Sequence, residues 1–177
     1  MTYRDQLRWL AFDNHGIVTT TQAQAAGVPA VAMRKLAARS VLRNVGYGVY
    51  RMQEVPATPL TEYAEAVALV GPGAMIADES VLALHDLALV NPKKIKVATT
   101  RRVRADVPPS VEIVRRAYLA EPDYVDGIPT MPTGDALRAC RARVMNERLT
   151  TAARQAQEQG LLLAEEADQV IRDLVAT

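Results

Sequence analysis

The 177-residue sequence holds one cysteine, two histidines, one tryptophan and one phenylalanine, and it contains no apolar run that approaches bilayer length. A lone Cys140 excludes an internal disulfide, and with only His15 and His85 beside it there is no CxxC or HxxxH spacing for a structural metal. The opening MTYRDQLRWLAFDNHG is polar and amphipathic and lacks the unbroken apolar core of a signal peptide. The expectation is a cytoplasmic protein with no membrane partner, no metal and no cofactor. Aromatic residues make up 5% of the chain, so Leu, Val and Ala must build the core, which favours packed helices over a sheet sandwich.

What is present is an ordinary folding composition, 49% apolar and 23% charged, with 21 bases against 20 acids. The balance hides a gradient. Residues 1–55 carry seven bases and three acids, residues 56–120 eight and seven, and residues 121–177 six and ten. A basic head followed by an acidic tail suggests that the head meets a polyanion and the body meets something else.

The prolines of EVPATPLTEY interrupt any regular element and put a domain boundary near residues 53–60, giving domains of 1–55 and 56–177. Before it, Leu7, Leu10 and Ala11 fall at helical spacing, with Trp9 and Phe12 at the edge of that face and Gly16 as the cap. Thr19, Thr20 and Thr21 offer hydroxyls to start a second helix, Gly27 ends it, and Pro29 suits the first turn of a third. In that third helix Met33, Leu36 and Ala37 share one face, and Arg34, Lys35 and Arg39 project away from it. After Ser40 the period shortens, GYG supplies a turn whose glycines tolerate positive φ, and VYRM returns as a strand, with Tyr47 at the tip. Helix, tight turn, helix and hairpin in succession is the layout of a winged helix-turn-helix.

The rest reads as an α+β body: helices at 61–70 and from Asp78 or Ser80 onward, strands in KIKVATT and VEIVRRAY, an extended GIPTMP, and helices from Thr133 to the end. In those last helices TGDALRACRARVMNERL reads as one unit, and TTAARQAQEQG is capped by Gly160. The expected fold class is therefore α+β and mainly helical, with a small sheet and C-terminal helices in the second domain.

A basic helix entering the major groove would bring Arg34, Lys35 and Arg39 to base edges and phosphates, while Thr20, Thr21, Arg43, Tyr47 and Arg51 would position the backbone. The helix begins with apolar Pro29, Ala30 and Val31, which can touch thymine methyls but cannot hydrogen-bond a base, so sequence preference leans on Arg34 and on DNA shape. The same shape also serves as a protein-docking adaptor, and a similar head can precede a nuclease.

GIVTTTQAQAAGVPAVAMRKLAARSVLRNVGYGVYRM resembles the N-terminal winged-helix domain of the AbiEi antitoxin family, matching it at Gly27, Leu36, Leu42 and Gly48-Val49-Tyr50. DESVLALHDLAL is similar to that family's Glu-Ser-Ala-Leu-Leu-His-Gly-Leu segment, with Asp86 where Gly is commoner, and GIPTMPTGDALRAC to its extended piece leading into a helix. The resemblance spans most of residues 10–142. It implies a non-catalytic antitoxin that represses its own operon by binding double-stranded promoter DNA, as a homodimer on that DNA, and that opposes a nucleotidyltransferase-type toxin.

Other residues have plain explanations. Glu79 and His85, six apart on a helix, point to roughly opposite sides and make no acid/base pair. Cys140 lies among helix formers as a small buried residue. GPG at 71–73 lacks the Walker spacing and lysine. Lys94 and Lys96, followed by Arg101, Arg102 and Arg104, either extend the DNA footprint, dock an acidic partner or guard an exposed edge strand. The acidic terminal helices, with Glu158, Glu165, Glu166, Asp168 and Asp173, carry a stripe of Leu161, Leu162, Ala167, Val170, Ile171 and Leu174 and either pack on the body or meet a toxin or second protomer that presents basic surface.

Overall fold

The computed structural model describes residues 1–176, which form an α+β chain of two compact units. The first unit comprises Met1–Ala74 with Arg102–Pro108 and Asp126–Ile128, and the second takes Met75–Arg101, Pro109–Val125 and Pro129 onward. The division after Ala74 lies beyond the expected 53–60, because the helix that follows the prolines packs on the first unit's sheet.

In the first unit α1 (Tyr3–Asp13) starts from a reciprocal cap: the Thr2 hydroxyl accepts from the Asp5 N–H at 3.2 Å, and the Asp5 carboxylate accepts from the Thr2 N–H at 3.1 Å. Leu7 and Ala11 turn inward, while Trp9 and Phe12 are 62% and 66% exposed. Then come β1 (Ile17–Thr19), α2 (Thr20–Ala25), α3 (Ala30–Ala38), β2 (Leu42–Gly46), β3 (Val49–Met52) and α4 (Thr61–Val70). The hairpin strands pair antiparallel as expected, but β1 was not foreseen, and it makes β3 the centre of a β1-β3-β2 sheet.

Alternation along β3 sends its side chains into two cores. Met52, with Leu42 opposite it and Val18 of β1, joins Leu7, Ala11, Ala23 and Met33 from the three helices and Val28 from the turn between α2 and α3. Val49 and Ile17 face the other way, onto Leu69 of α4. Gly46 has an ordinary backbone angle. Its value is space, since a Cβ there would collide with the Leu69 side chain. Gly48 does have positive φ, at 66°, in the hairpin turn.

The second unit carries β4 (Met75–Ile76), β5 (Ile95–Thr99), β6 (Val111–Arg115), β7 (Asp123–Val125) and β8 (Ile128–Thr130) in the order β6-β5-β4-β8-β7. β5 runs parallel to β6 and antiparallel to β4, so it is an interior strand, and its Lys96 guards no edge. The helices are α5 (Glu79–Leu84), α6 (Thr133–Ala139), α7 (Asn146–Glu158) and α8 (Ala164–Val175). The segment read as a single helix from Thr133 breaks at 140–145, where the N–H groups of Arg143 and Val144 both close on the Cys140 carbonyl at 2.9 Å and Met145 is extended.

Helices α7 and α8 pack together through Leu149, Ala152, Ala153 and Ala156 on one and Ala167, Val170 and Leu174 on the other. Leu162 is buried as well, and Leu161 and Ile171 are half-buried, so the apolar stripe is used inside the unit. No helix among the described residues is long and apolar enough to cross a membrane.

Candidate nucleic-acid interface

Helix α3 has a single outward face. At 100° per residue, Val31, Arg34, Lys35, Ala38 and the capping residue Arg39 fall within about 140° of arc, and all five are exposed while Met33 on the far side is buried. Arg34, Lys35 and Arg39 enter none of the ion pairs among the described residues, in contrast to Arg4 with Glu54 and Arg8 with Asp5 on α1. The helix begins at Pro29 with no side-chain cap and no acid in its first turn, so no carboxylate offsets its positive end.

In the same unit the structure joins the start of α2 to the hairpin turn. Thr19 is the cap: its hydroxyl accepts from the Gln22 N–H at 3.1 Å, and the Gln22 side chain accepts from the Thr19 N–H at 2.9 Å. The Thr20 N–H donates to the Gly48 carbonyl at 2.8 Å and its hydroxyl donates there at 3.3 Å. Thr20 thus holds the turn, and its one hydroxyl proton is already committed. Thr21 is exposed, and Tyr47, at the tip of the turn, is 95% exposed.

The two hairpin arginines divide. Arg43 and Arg51 are cross-strand partners and so lie on the same sheet face, the one turned toward α4 and away from α3. Arg43, on the edge strand β2, is exposed and unpaired. Arg51, on the central strand, is 8% exposed and donates to the carbonyls of His15 at 2.8 Å and Val55 at 2.9 Å. It cannot reach a phosphate. Its expected role in positioning the DNA backbone is corrected to a structural one, because its guanidinium is spent on two carbonyls inside the fold. Of the eight candidates, Arg34, Lys35 and Arg39 share α3, Thr21 and Tyr47 flank the Thr20–Gly48 link, Arg43 stands on the other sheet face, and Arg51 is internal.

A second charged constellation, in the second unit, escaped sequence reasoning. Asp78, 2% exposed and at φ 53°, accepts from Arg116 at 2.8 and 2.9 Å and from Arg143 at 3.0 Å. Glu79 accepts from Lys96 at 2.8 Å and from Arg143. Burial alone would raise the Glu79 pKa, but the hydrogen bonds from Arg143 and Lys96 outweigh it and hold the carboxyl down at about 2. The Ser80 hydroxyl accepts from the Lys96 N–H at 2.8 Å, tying α5 to β5.

An Asp, a Glu and a Lys brought together resemble the makings of a nuclease. Here, however, the two carboxylates face three cations, so a divalent ion would have to displace guanidinium groups already in place. The sequence signal was the DES triplet, but its partners lie 17, 38 and 65 residues away.

His85 caps α5 half-buried, and burial lowers its pKa against the pull of Asp123. The buried Cys140 thiol is pushed up to about 12, chiefly by burial, and is not a nucleophile at neutral pH. Arg102 and Arg104 are exposed on the stretch that returns to the first unit, whereas Lys96 is held by Glu79 and adds nothing to a DNA footprint. No family model matches the chain, and no curated protein matches it significantly.

Proposed function

We propose that this chain is a DNA-binding antitoxin of the AbiEi type, cytoplasmic and without a catalytic step of its own. In this reading residues 1–55 form a winged helix-turn-helix extended by α4. α3 enters the major groove, with Arg34 on a base edge and Lys35 and Arg39 on phosphates. The β2–β3 hairpin is the wing, with Tyr47 at its tip, and Thr21 and Arg43 add backbone contacts. Two copies occupy repeats in the chain's own promoter and repress it, and the second unit opposes a nucleotidyltransferase-type toxin.

The observation that carries this proposal is the outward face of α3, where three cations lie without a carboxylate partner. Support also comes from Asp86, whose φ of 55° explains why glycine is the commoner residue at that point of the resembling segment. Titrating a fluorescent duplex from the upstream promoter, and a scrambled duplex, tests the reading. Binding is expected to weaken with salt, by a log–log slope of about −0.9 for each phosphate contact.

The competing reading, a protein-docking adaptor, draws on Val31, which is 52% exposed at the start of the same face. An adaptor would leave the duplex unbound and hold its protein partner almost independently of salt. Incubation with plasmid and Mg²⁺ checks the nuclease alternative, and intact plasmid is the expected result.

A further inference from the structure

The second unit contains a concave site of about 500 Å³ whose walls combine positive charge with exposed apolar surface. Lys93 and Lys94 stand at it, exposed, and neither belongs to any ion pair among the described residues. Deeper in the site Lys96 and Arg143 are fixed against Glu79, so that carboxylate's charge is already answered. The remaining acid on the wall is Glu112.

At the rim Leu89 is 88% and Met145 62% exposed. Leu89 is held outward by an unusual backbone: Ala88 and Leu89 are consecutive non-glycine residues at φ 58° and 51°. That conformation is disfavoured for L residues and persists where surroundings impose it. The surroundings here are Arg148, whose guanidinium donates to the Leu89 carbonyl, and the buried Leu87 beside it.

We propose that this cavity binds a small organic phosphate of nucleotide size. Its volume falls within the range of about 300–1,000 Å³ typical of small-ligand pockets and is too small for a duplex. The forked guanidinium groups that would select a carboxylate in bidentate fashion are engaged, Arg143 by Asp78 and Glu79 and Arg148 by Leu89. The groups left over are the ammonium ends of Lys93 and Lys94, compact charges suited to a multiply charged phosphate. The phosphates would lie on these two lysines, and the organic part against Leu89 and Met145. This site is independent of whatever α3 binds.

Isothermal titration of the full chain with ATP, inorganic triphosphate and adenosine as probes tests the proposal. ATP is expected to bind at least tenfold more tightly than either fragment. The double substitution Lys93→Glu/Lys94→Glu should weaken ATP at least tenfold, whereas Arg34→Ala leaves it unchanged. Leu89→Gly, which relieves the backbone and removes the rim, should weaken ATP but not triphosphate. No binding of ATP at millimolar concentration, equal affinity for ATP and triphosphate, or an unchanged lysine variant would overturn it.

Discussion

The α3 face of the first unit and the Asp78 network of the second treat arginine and lysine in opposite ways. In the second unit Lys96, Arg116, Arg138, Arg143 and Arg154 are each tied to a carboxylate, and Asp78 and Glu79 sit at the hub of that network. In the first, Arg34, Lys35, Arg39 and Arg43 have no such partner, and Arg51 is satisfied by two carbonyls inside the fold. The difference teaches that net charge is a poor guide to where a polyanion would bind. A cation already matched by an acid has little left to offer, and the unmatched ones mark the surface to test.

If the contrast is right, removing a cluster member should cost folding and removing an α3 cation should not. The largest effect is expected for Asp78→Ala, which strands Arg116, leaves Arg143 with Glu79 alone and should destabilise the second unit by about 3 kcal/mol in denaturant unfolding; a loss below 1 kcal/mol would mean the network is ornamental. The same network predicts acid sensitivity. Glu79 has a folded pKa of about 2, below its unconstrained value of 4.5, so its contribution is complete above about 4.5 and disappears as pH falls toward 2. Glu79→Gln should flatten the stability profile across that window and leave it unchanged near neutrality in slope.

Next in size is Arg51→Ala, which leaves the Val55 carbonyl without a donor and the His15 carbonyl with the Thr61 hydroxyl alone, and should cost about 2 kcal/mol. Thermal unfolding with unaltered duplex affinity in the remaining folded protein would separate this from a DNA-contact role. The smallest change in folding is expected for Arg34→Ala, within about 0.5 kcal/mol, although duplex affinity should drop by about 1–3 kcal/mol. Anisotropy and melting curves on the same preparation decide it, and a variant that melts early but binds normally would reverse the comparison.

Local chemistry made part of this legible in advance. The threonine run, Gly27 and Pro29 bracket α2 and α3 because caps and breakers act within a few residues, and the Gly48 turn follows from its positive φ. The stripe of the last helix is readable from period alone. What escaped depends on partners far along the chain. β1 is three residues long and exists because β3 pairs with it, and Arg51 is internal because α4, beyond the prolines, lies across its sheet face. Lys96 looked like an edge guard only while β6 and β4 were not known to flank it. The Asp78 hub joins four separate stretches of sequence.

The sealed thiol of Cys140 has a practical consequence. With the chain's sole sulfhydryl buried and held protonated, the Tyr47→Cys substitution would present the one group able to react with a maleimide dye, at the very tip of the hairpin. A reporter attached there would follow the approach of that loop to any ligand without masking or deleting a native cysteine.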